Sequence, residues 1–513
     1  MSNKYIIDSD ENSDYMYNVI SEIINKCGPR APCSNAERKA SELMHDELSK
    51  YCDTVELEKF KTYPRAFLGW IRLDVSLILI SIGIFVGFFL IDQIFPYQIF
   101  LFMGSIICLL IGIFGLFIFY KQFFCYEEWT PKFLPYKQGT SQNVVGTIKP
   151  KGEIKKRIIF SGHIDSAFRF NLIHYTKQGY AYFYAMGVVL LISYIIIYLF
   201  QIVFIFIPEI FVFVILNLLI WIIILIPIIL TVVFLGFKNS KKVLFGALKN
   251  MSLNGYVSIL STTIYSLLID IVLWQFIFIN QNLMKIVIWL LIKSIINIVA
   301  LVFFASRKAT PGVIDNLSAV APVVCIGKIL KDWKDNYPEL LPKKTEVKLV
   351  LFGCEEIGLR GSLAFCNLHA KEYNQIDTTA VNGESLTESR FQKIFTRENT
   401  TRTDLSPEVY NLLVKCCEEL EIPYKLVEMP SMAGGTDAAG LVKGGLKASS
   451  LEGIIWEDYL TYYHTDRDAL NLINEKRKPN DDIGSNWNER NVRCAMENGL
   501  KIMLKYLELK DKE

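Results

Sequence analysis

A cysteine framework is missing from this chain. Its 11 cysteines form no C-x-x-C and no regular framework, which leaves no disulfide scaffold and fits reduced thiols in a reducing compartment. A dominant charge is missing too: the formal net charge is +2, which gives no signal for nucleic acid, and no nucleic-acid partner is expected. The N-terminus, starting Met1-Ser2-Asn3-Lys4-Tyr5, lacks the basic-then-apolar order of a cleavable signal peptide. No internal repeat and no low-complexity tract occurs. Histidine is scarce, with 5 in 513 residues, so the place of each one is informative.

Apolar residues are abundant: 52% of the chain is hydrophobic, more than an ordinary soluble protein of this length carries. The excess comes in blocks, which is the pattern of membrane spans. Val75–Ile91 and Ile99–Tyr120 are each long enough to cross a bilayer, with a short turn between them. Four more spans are expected at Tyr180–Phe206, Ile210–Phe237, Tyr256–Ile279 and Ile286–Phe304. Both insertions hold an even number of spans, so the three remaining pieces emerge on one side. The expected organisation is one domain from 1–66, 121–178 and 305–513, a two-span hairpin at 67–120 and a four-span insertion at 179–304. Lys and Arg gather on the domain side of the spans (Lys61, Arg65, Lys121, Lys241, Lys242 and Arg307 among them), against Lys285 on the other. The domain is therefore expected in the cytoplasm, on an integral, multi-pass protein in contact with the lipid bilayer. Asp270 and Lys293 fall inside spans at similar distances from their turn and are expected to pair.

The remaining pieces alternate strand and helix patterns, which predicts an α/β domain. Residues 15–24 have helical periodicity. Ser34, with Glu37 three residues on, reads as a capping box opening a helix that reaches about Lys50. Thr54–Phe60, Gln142–Ile148, Arg157–Asp165 and Val347–Phe352 read as strands. The last ends at Gly353, and Glu355 and Glu356 follow at once. In an open α/β sheet the ligand crevice lies at the carboxyl ends of the strands, where one carboxylate can bind a cation and its neighbour can accept a proton. His163 and Asp165 end another strand, on one face, so the carboxylate can orient the imidazole. Asp315-Asn316 precedes a small-residue helix, Glu384 follows a strand, and His464 stands in Tyr462-Tyr463-His464-Thr465-Asp466. Singly, each has an ordinary explanation: a solvated pair, a helix cap, a surface histidine. Their order along the chain is the stronger signal.

That order resembles the di-zinc aminopeptidase family, relatives of bacterial leucyl aminopeptidases, glutamate carboxypeptidase II and glutaminyl cyclase. The resemblance rests on Gly28-Pro29-Arg30 with Ser34 and Glu37, Asn143-Val144-Val145-Gly146, Gly162-His163-Ile164-Asp165-Ser166 and Gly312-Val313-Ile314-Asp315-Asn316. It continues through Phe352-Gly353-Cys354-Glu355-Glu356-Ile357-Gly358, Gly361-Ser362, Thr436-Asp437 and Tyr463-His464. It covers the pieces outside the spans and none of the spans. It implies a mixed, mostly parallel sheet sandwiched by helices, of the zinc-exopeptidase type, here with six inserted transmembrane helices. It implies two zinc ions, one on His163, Asp315 and Glu384 and the other on Asp315, Glu356 and His464. Asp165 would orient His163, and Glu355 would be the general base. The family more often has Asp where Glu384 stands, which is shorter by one methylene. The function implied is a membrane-anchored zinc metallopeptidase, an aminopeptidase on short peptides, with its site close to the membrane surface. Two other readings are a transporter or structural membrane protein with a non-catalytic peptidase-like domain, and a one-zinc cyclase or amidase. The loop expected at 385–405 and the segment 428–435 would line the pocket.

Overall fold

A computed structural model describes residues 9–95, 99–134, 136–176, 301–431, 433–473 and 491–513, with isolated helical positions at 192, 194–196, 198–199, 202, 295 and 298–299. The expected spans between 180 and 304, and the Asp270–Lys293 pair, lie outside the described residues apart from those positions and 301–304. The chain forms two compact units. One comprises 1–67, 122–169 and 307–513, and the other 68–121 and 170–306.

The first unit opens with helices α1 (Ser9–Cys27) and α2 (Asn35–Leu48), then strands β1 (Thr54–Thr62), β2 (Gly139–Ile148) and β3 (Lys156–His163). Two short strands, β4 (Phe168–Phe170) and β5 (Ala305–Ala309), pair with each other. Helix α6 (Ser318–Asn336), strand β6 (Thr345–Phe352), helix α7 (Arg360–Tyr373) and strand β7 (Asp377–Leu386) follow. The chain closes with β8 (Gln392–Glu398), β9 (Thr403–Asp404), α8 (Pro407–Glu419), β10 (Tyr424–Met429), α9 (Asp437–Lys443), β11 (Lys447–Gly453) and α10 (Val492–Lys512). The large sheet runs β1-β2-β6-β3-β7-β11-β8-β10, with β9 on β8. Its central strands β6, β3, β7 and β11 are parallel, and β1, β2 and β8 join antiparallel.

Alternation along the strands explains the layering. On β6, Val347, Leu349 and Leu351 join one core, and Val350 and Phe352 the other; on β3, Phe160 and Ile159 divide likewise. Both faces are apolar because helices cover both, as parallel sheets require. Met16, Ile20, Met44, Leu48, Ile326 and Met503, from α1, α2, α6 and α10, fill the first core. Phe365, Cys366, Ala438 and Leu441, from α7 and α9, fill the second. Ser34 caps α2 as expected, its Oγ accepting from the Glu37 N–H at 3.1 Å. The reciprocal half of the capping box does not form: Glu37 turns inward and accepts from the Cys33 and Cys354 N–H groups at 2.6 and 3.0 Å. The stretch expected as a loop at 385–405 holds strands β8 and β9 instead. Their apolar members Ile394 and Phe395 are buried in the two cores, so packing overrides the polar local sequence.

In the second unit, α3 (Gly69–Ile94) and α4 (Ile99–Phe119) are long and apolar enough to cross a membrane. A short helix α5 (Asn171–Thr176) belongs to the same unit. Among the described residues one more helical stretch meets the same length and composition test, Val313–Asn336, which contains α6. It is buried against the sheet of the first unit, where a continuous apolar helix fills a core.

Phe160 is wholly buried and meets the Tyr506 ring edge-on at 6.5 Å between centroids. Phe160→Ala should cost about 3–5 kcal/mol through the cavity it leaves. A thermal melt in detergent that matches the parent would contradict this core assignment.

Candidate metal and catalytic site

Strand pairing sets the floor of the site. His163, at the end of β3, lies in register with Phe352, at the end of β6. Glu384 stands on β7, beyond the Ser161–Asn382 pair. After Phe352 the chain passes Gly353 and Cys354 into a short helical turn carrying Glu355 and Glu356. Gly361 lets the start of α7 close over this turn, because a Cβ there would collide with the Gly353 carbonyl. Asp315 sits in the turn Val313–Leu317 that leads into α6, and its peptide to Asn316 is cis. His464 arrives from the loop after β11. The structure thus brings all seven expected residues to one place.

Asp315 is central. Its Oδ1 lies 3.2 Å from His163 Nε2, and its Oδ2 lies 3.1 Å from His464 Nε2. Around His163 Nε2 are also Glu355 Oε2 and Glu384 Oε1, each at 3.7 Å. Around His464 Nε2 is Glu356 Oε2 at 3.1 Å. Asp165 flanks the other ring nitrogen of His163, with Oδ1 at 3.3 Å from Nδ1. It also accepts the Glu355 and Glu356 N–H groups at 3.1 and 3.2 Å, so it fixes the acidic turn as well as the imidazole.

The electrostatics follow from crowding. Burial pushes the Glu355 carboxyl well above the usual range; His163 opposes this, and Glu356, Asp437 and Glu384 add to it. Burial likewise lifts Glu356 to about 7 and Asp437 to about 8. Burial disfavours the charged imidazole of His464, yet Glu356 and Asp315 raise it to about 10. For Asp315, burial is outweighed by hydrogen bonds from both imidazoles, which hold it below the carboxylate range. Buried charge on this scale is costly unless cations or donors offset it.

The donor set fits zinc. His163, Asp315 and Glu356 each offer one ligand atom, all within 4.8 Å of one another. Two donors on a tetrahedral zinc, each about 2.0–2.1 Å from it, lie roughly 3.3 Å apart, close to the separations around both imidazoles. Buried Glu356 Oε1 has no hydrogen-bond partner among the described residues, so that oxygen stays available to a cation.

Several supporting residues were given no role from the sequence. Tyr459 Oη donates to Asp315 Oδ2 at 3.1 Å and meets Ser385 Oγ at 2.7 Å. Asn316 donates to the Gly383 carbonyl and to Glu384 Oε2 at 3.1 and 3.3 Å, tying the Asp315 turn to β7. Asp468 accepts the N–H groups of Val313, Ile314 and Asp315 at 3.1, 2.6 and 3.1 Å. Arg30 is wholly buried and donates to the carbonyls of Ile164, Pro311 and Gly312 at 2.6, 2.7 and 2.8 Å, joining the turns that follow β3 and precede Asp315. Tyr459 and Asp468 flank the Tyr462–Asp466 run, which was the available clue.

Residues 301–481 match the model of peptidase family M28. The match contains Asp315, Glu355, Glu356, Glu384 and His464; His163 and Asp165 precede it. Among solved structures, the chain is similar to an aminopeptidase from Aneurinibacillus sp. strain AM-1, at 12% identity and TM-score 0.43, covering 96% of this chain and 92% of that one. It is similar to BSAP, a zinc aminopeptidase from Bacillus subtilis, at 10% identity and TM-score 0.43, covering 97% and 95%. A glutaminyl cyclase from Porphyromonas gingivalis is similar at 9% identity and TM-score 0.44, covering 97% and 98%. No curated protein matches.

Glu398 offers a pH test away from the imidazoles. It ends β8, is wholly buried, and accepts from Thr436 N and Oγ1 at 3.1 and 2.6 Å, next to Asp437. Burial raises it from 4.5 to about 7. The folded state therefore binds this proton more tightly than the unfolded chain. The stability it lends is complete below pH 4.5 and is lost as pH rises through about 7, amounting to roughly 3 kcal/mol. Glu398→Gln should gain melting temperature relative to the parent as pH rises from 5 to 8. Parallel pH profiles would show that Glu398 is not buried as an acid.

Proposed function

We propose that the chain is a membrane-anchored zinc metallopeptidase acting as an aminopeptidase on short peptides, with two zinc ions. The observation that carries this reading is the double face of Asp315: each oxygen meets a different imidazole, with Glu384 beside one and Glu356 beside the other. Asp315 would bridge the ions, His163 and Glu384 completing one set and Glu356 and His464 the other. Zinc bound there would polarise the scissile carbonyl and make an attacking water more acidic.

The chain's own residues do the remaining work. Glu355 Oε2 faces the site but belongs to neither ligand set. Its raised pKa suits a carboxylate that takes a proton from water and returns it to the departing amine. Asp165 holds His163 in the tautomer that leaves Nε2 free to bind metal, and through the Glu355 N–H it sets the position of the base. Tyr459 and Asn316 orient Asp315 and Glu384. Helices α3 and α4 support membrane anchoring, and the Lys and Arg distribution supports a cytoplasmic domain. The 1–66, 121–178 and 305–513 pieces would form the peptidase domain.

Metal content and hydrolysis of amino-acid amides should be measured on the detergent-purified chain beside Glu355→Ala. The parent should hold about two zinc per chain. The variant should keep them while losing activity by about 10²–10⁴-fold. N-acetylated peptides should be poor substrates. Absent metal, or activity indifferent to Glu355, refutes the peptidase. Cleavage that ignores N-acetylation refutes the aminopeptidase.

A further inference from the structure

Two thiols meet behind the acidic turn. Cys33, in the loop between α1 and α2, and Cys354, directly before Glu355, have Sγ atoms 3.6 Å apart. Both are free thiols, Cys354 wholly buried and Cys33 partly exposed. One carboxylate holds both: Glu37 accepts the Cys33 N–H on Oε2 and the Cys354 N–H on Oε1. Both residues also take left-handed backbone conformations, with φ of 60° and 57°. Such positions favour glycine and cost a side-chain-bearing residue energy. A strained conformation kept at two facing positions, both bearing thiols, points to use of the side chains.

We propose that Cys33 and Cys354 form a reversible disulfide that switches the site off, with glutathione disulfide or a comparable small disulfide as oxidant. The partly exposed Cys33 thiolate, its proton released to solvent, attacks one sulfur of the oxidant and expels a thiolate. Cys354 gives its proton to Glu37 Oε1, which its Sγ meets at 3.4 Å, attacks the Cys33 sulfur of the mixed disulfide and expels the second thiolate, each expelled thiolate taking up a proton. The two cysteines lose two electrons and two protons, and the oxidant becomes two thiols. Closing 3.6 Å to the roughly 2.05 Å of a disulfide bond draws the two segments together. Cys354 is covalently joined to Glu355, and a base displaced by about 1 Å can lose about 10²-fold in rate. The effect on catalysis rests on the peptidase reading; formation of the bond does not.

The test uses the full-length chain in detergent, equilibrated in glutathione buffers of rising oxidised fraction, alkylated and digested for mass spectrometry. A peptide linking Cys33 to Cys354 should accumulate. Amide exchange over residues 353–359 should change with it, and activity should fall at least tenfold and return with dithiothreitol. Cys33→Gly, which suits the left-handed backbone, and Cys33→Ser should keep the reduced parent's activity within about twofold and resist oxidation. Absence of the linked peptide at every ratio, or inhibition that persists in both variants, overturns the proposal. A linked peptide that leaves both exchange and activity unchanged overturns the switch. Were the chain inactive in all states, the peptide and the exchange data would still decide whether the bond forms and moves the turn.

Discussion

Everything in the first unit answers to one constraint: Asp165, Asp315, Glu355, Glu356, Glu384 and Asp437 are buried around two imidazoles. Carboxylates so placed repel one another and lose their hydration, so the fold must supply positive charge or donors from close by. Two imidazoles do not offset six carboxylates, and burial accordingly raises Glu355, Glu356 and Asp437 toward their neutral forms. The same constraint explains the supporting shell. Asp165 gathers the N–H groups of the acidic turn, and Asp468 those of the Asp315 turn. Arg30 gathers the carbonyls of the turns on either side. Each loop is thereby pinned by a buried side chain that makes several bonds to main chain, and the residues gathered from five separate segments keep their geometry.

The parts of this site visible in the sequence are those that follow strand logic. A run such as Val347–Phe352 ending in Gly353 announces a strand end, and chemistry-bearing residues directly after it belong at the carboxyl edge of the sheet. His163 and Asp165, Glu355 and Glu356, and Glu384 were legible for that reason. Glu37 was legible as a helix-start residue but not as a clamp on Cys354, because that contact spans 317 positions. The reach of Arg30 to Pro311 and Gly312, and of Asp468 to the Asp315 turn, is hidden in the same way. Strand β8 was missed because Gln392-Lys393-Ile394-Phe395-Thr396-Arg397-Glu398 lacks a clean alternation and is stabilised by pairing with β10 and β11.

The register also shows where the inserted segments leave the first unit. Strand β2 runs antiparallel to β6, and Val144 faces Leu351, so the start of β2 lies toward the carboxyl end of β6. Strand β1 pairs with it up to Thr62 opposite Gly139. The chain therefore leaves the sheet after Thr62 and rejoins it at Gly139, on the edge that carries the acidic turn. The second insertion departs after β3 and returns before Asp315, again at the carboxyl end of the parallel strands. Closing either connection costs the domain little, because each joins ends already held by strand pairing.

The returning segment adds to the site's surroundings. Tyr126 packs its ring on Phe67, with centroids 5.1 Å apart, and its carbonyl accepts from Arg360 Nη1 at 2.8 Å. A Cβ on Gly435 would stand 3.4 Å from the Tyr126 ring and 3.1 Å from Glu398. Gly435 precedes Thr436-Asp437, and Asp437 is one of the buried acids. The segment returning from α4 thus stands beside Gly435 and the start of α9. The Arg360 bond therefore ties the returning segment to the start of α7, which follows the acidic turn.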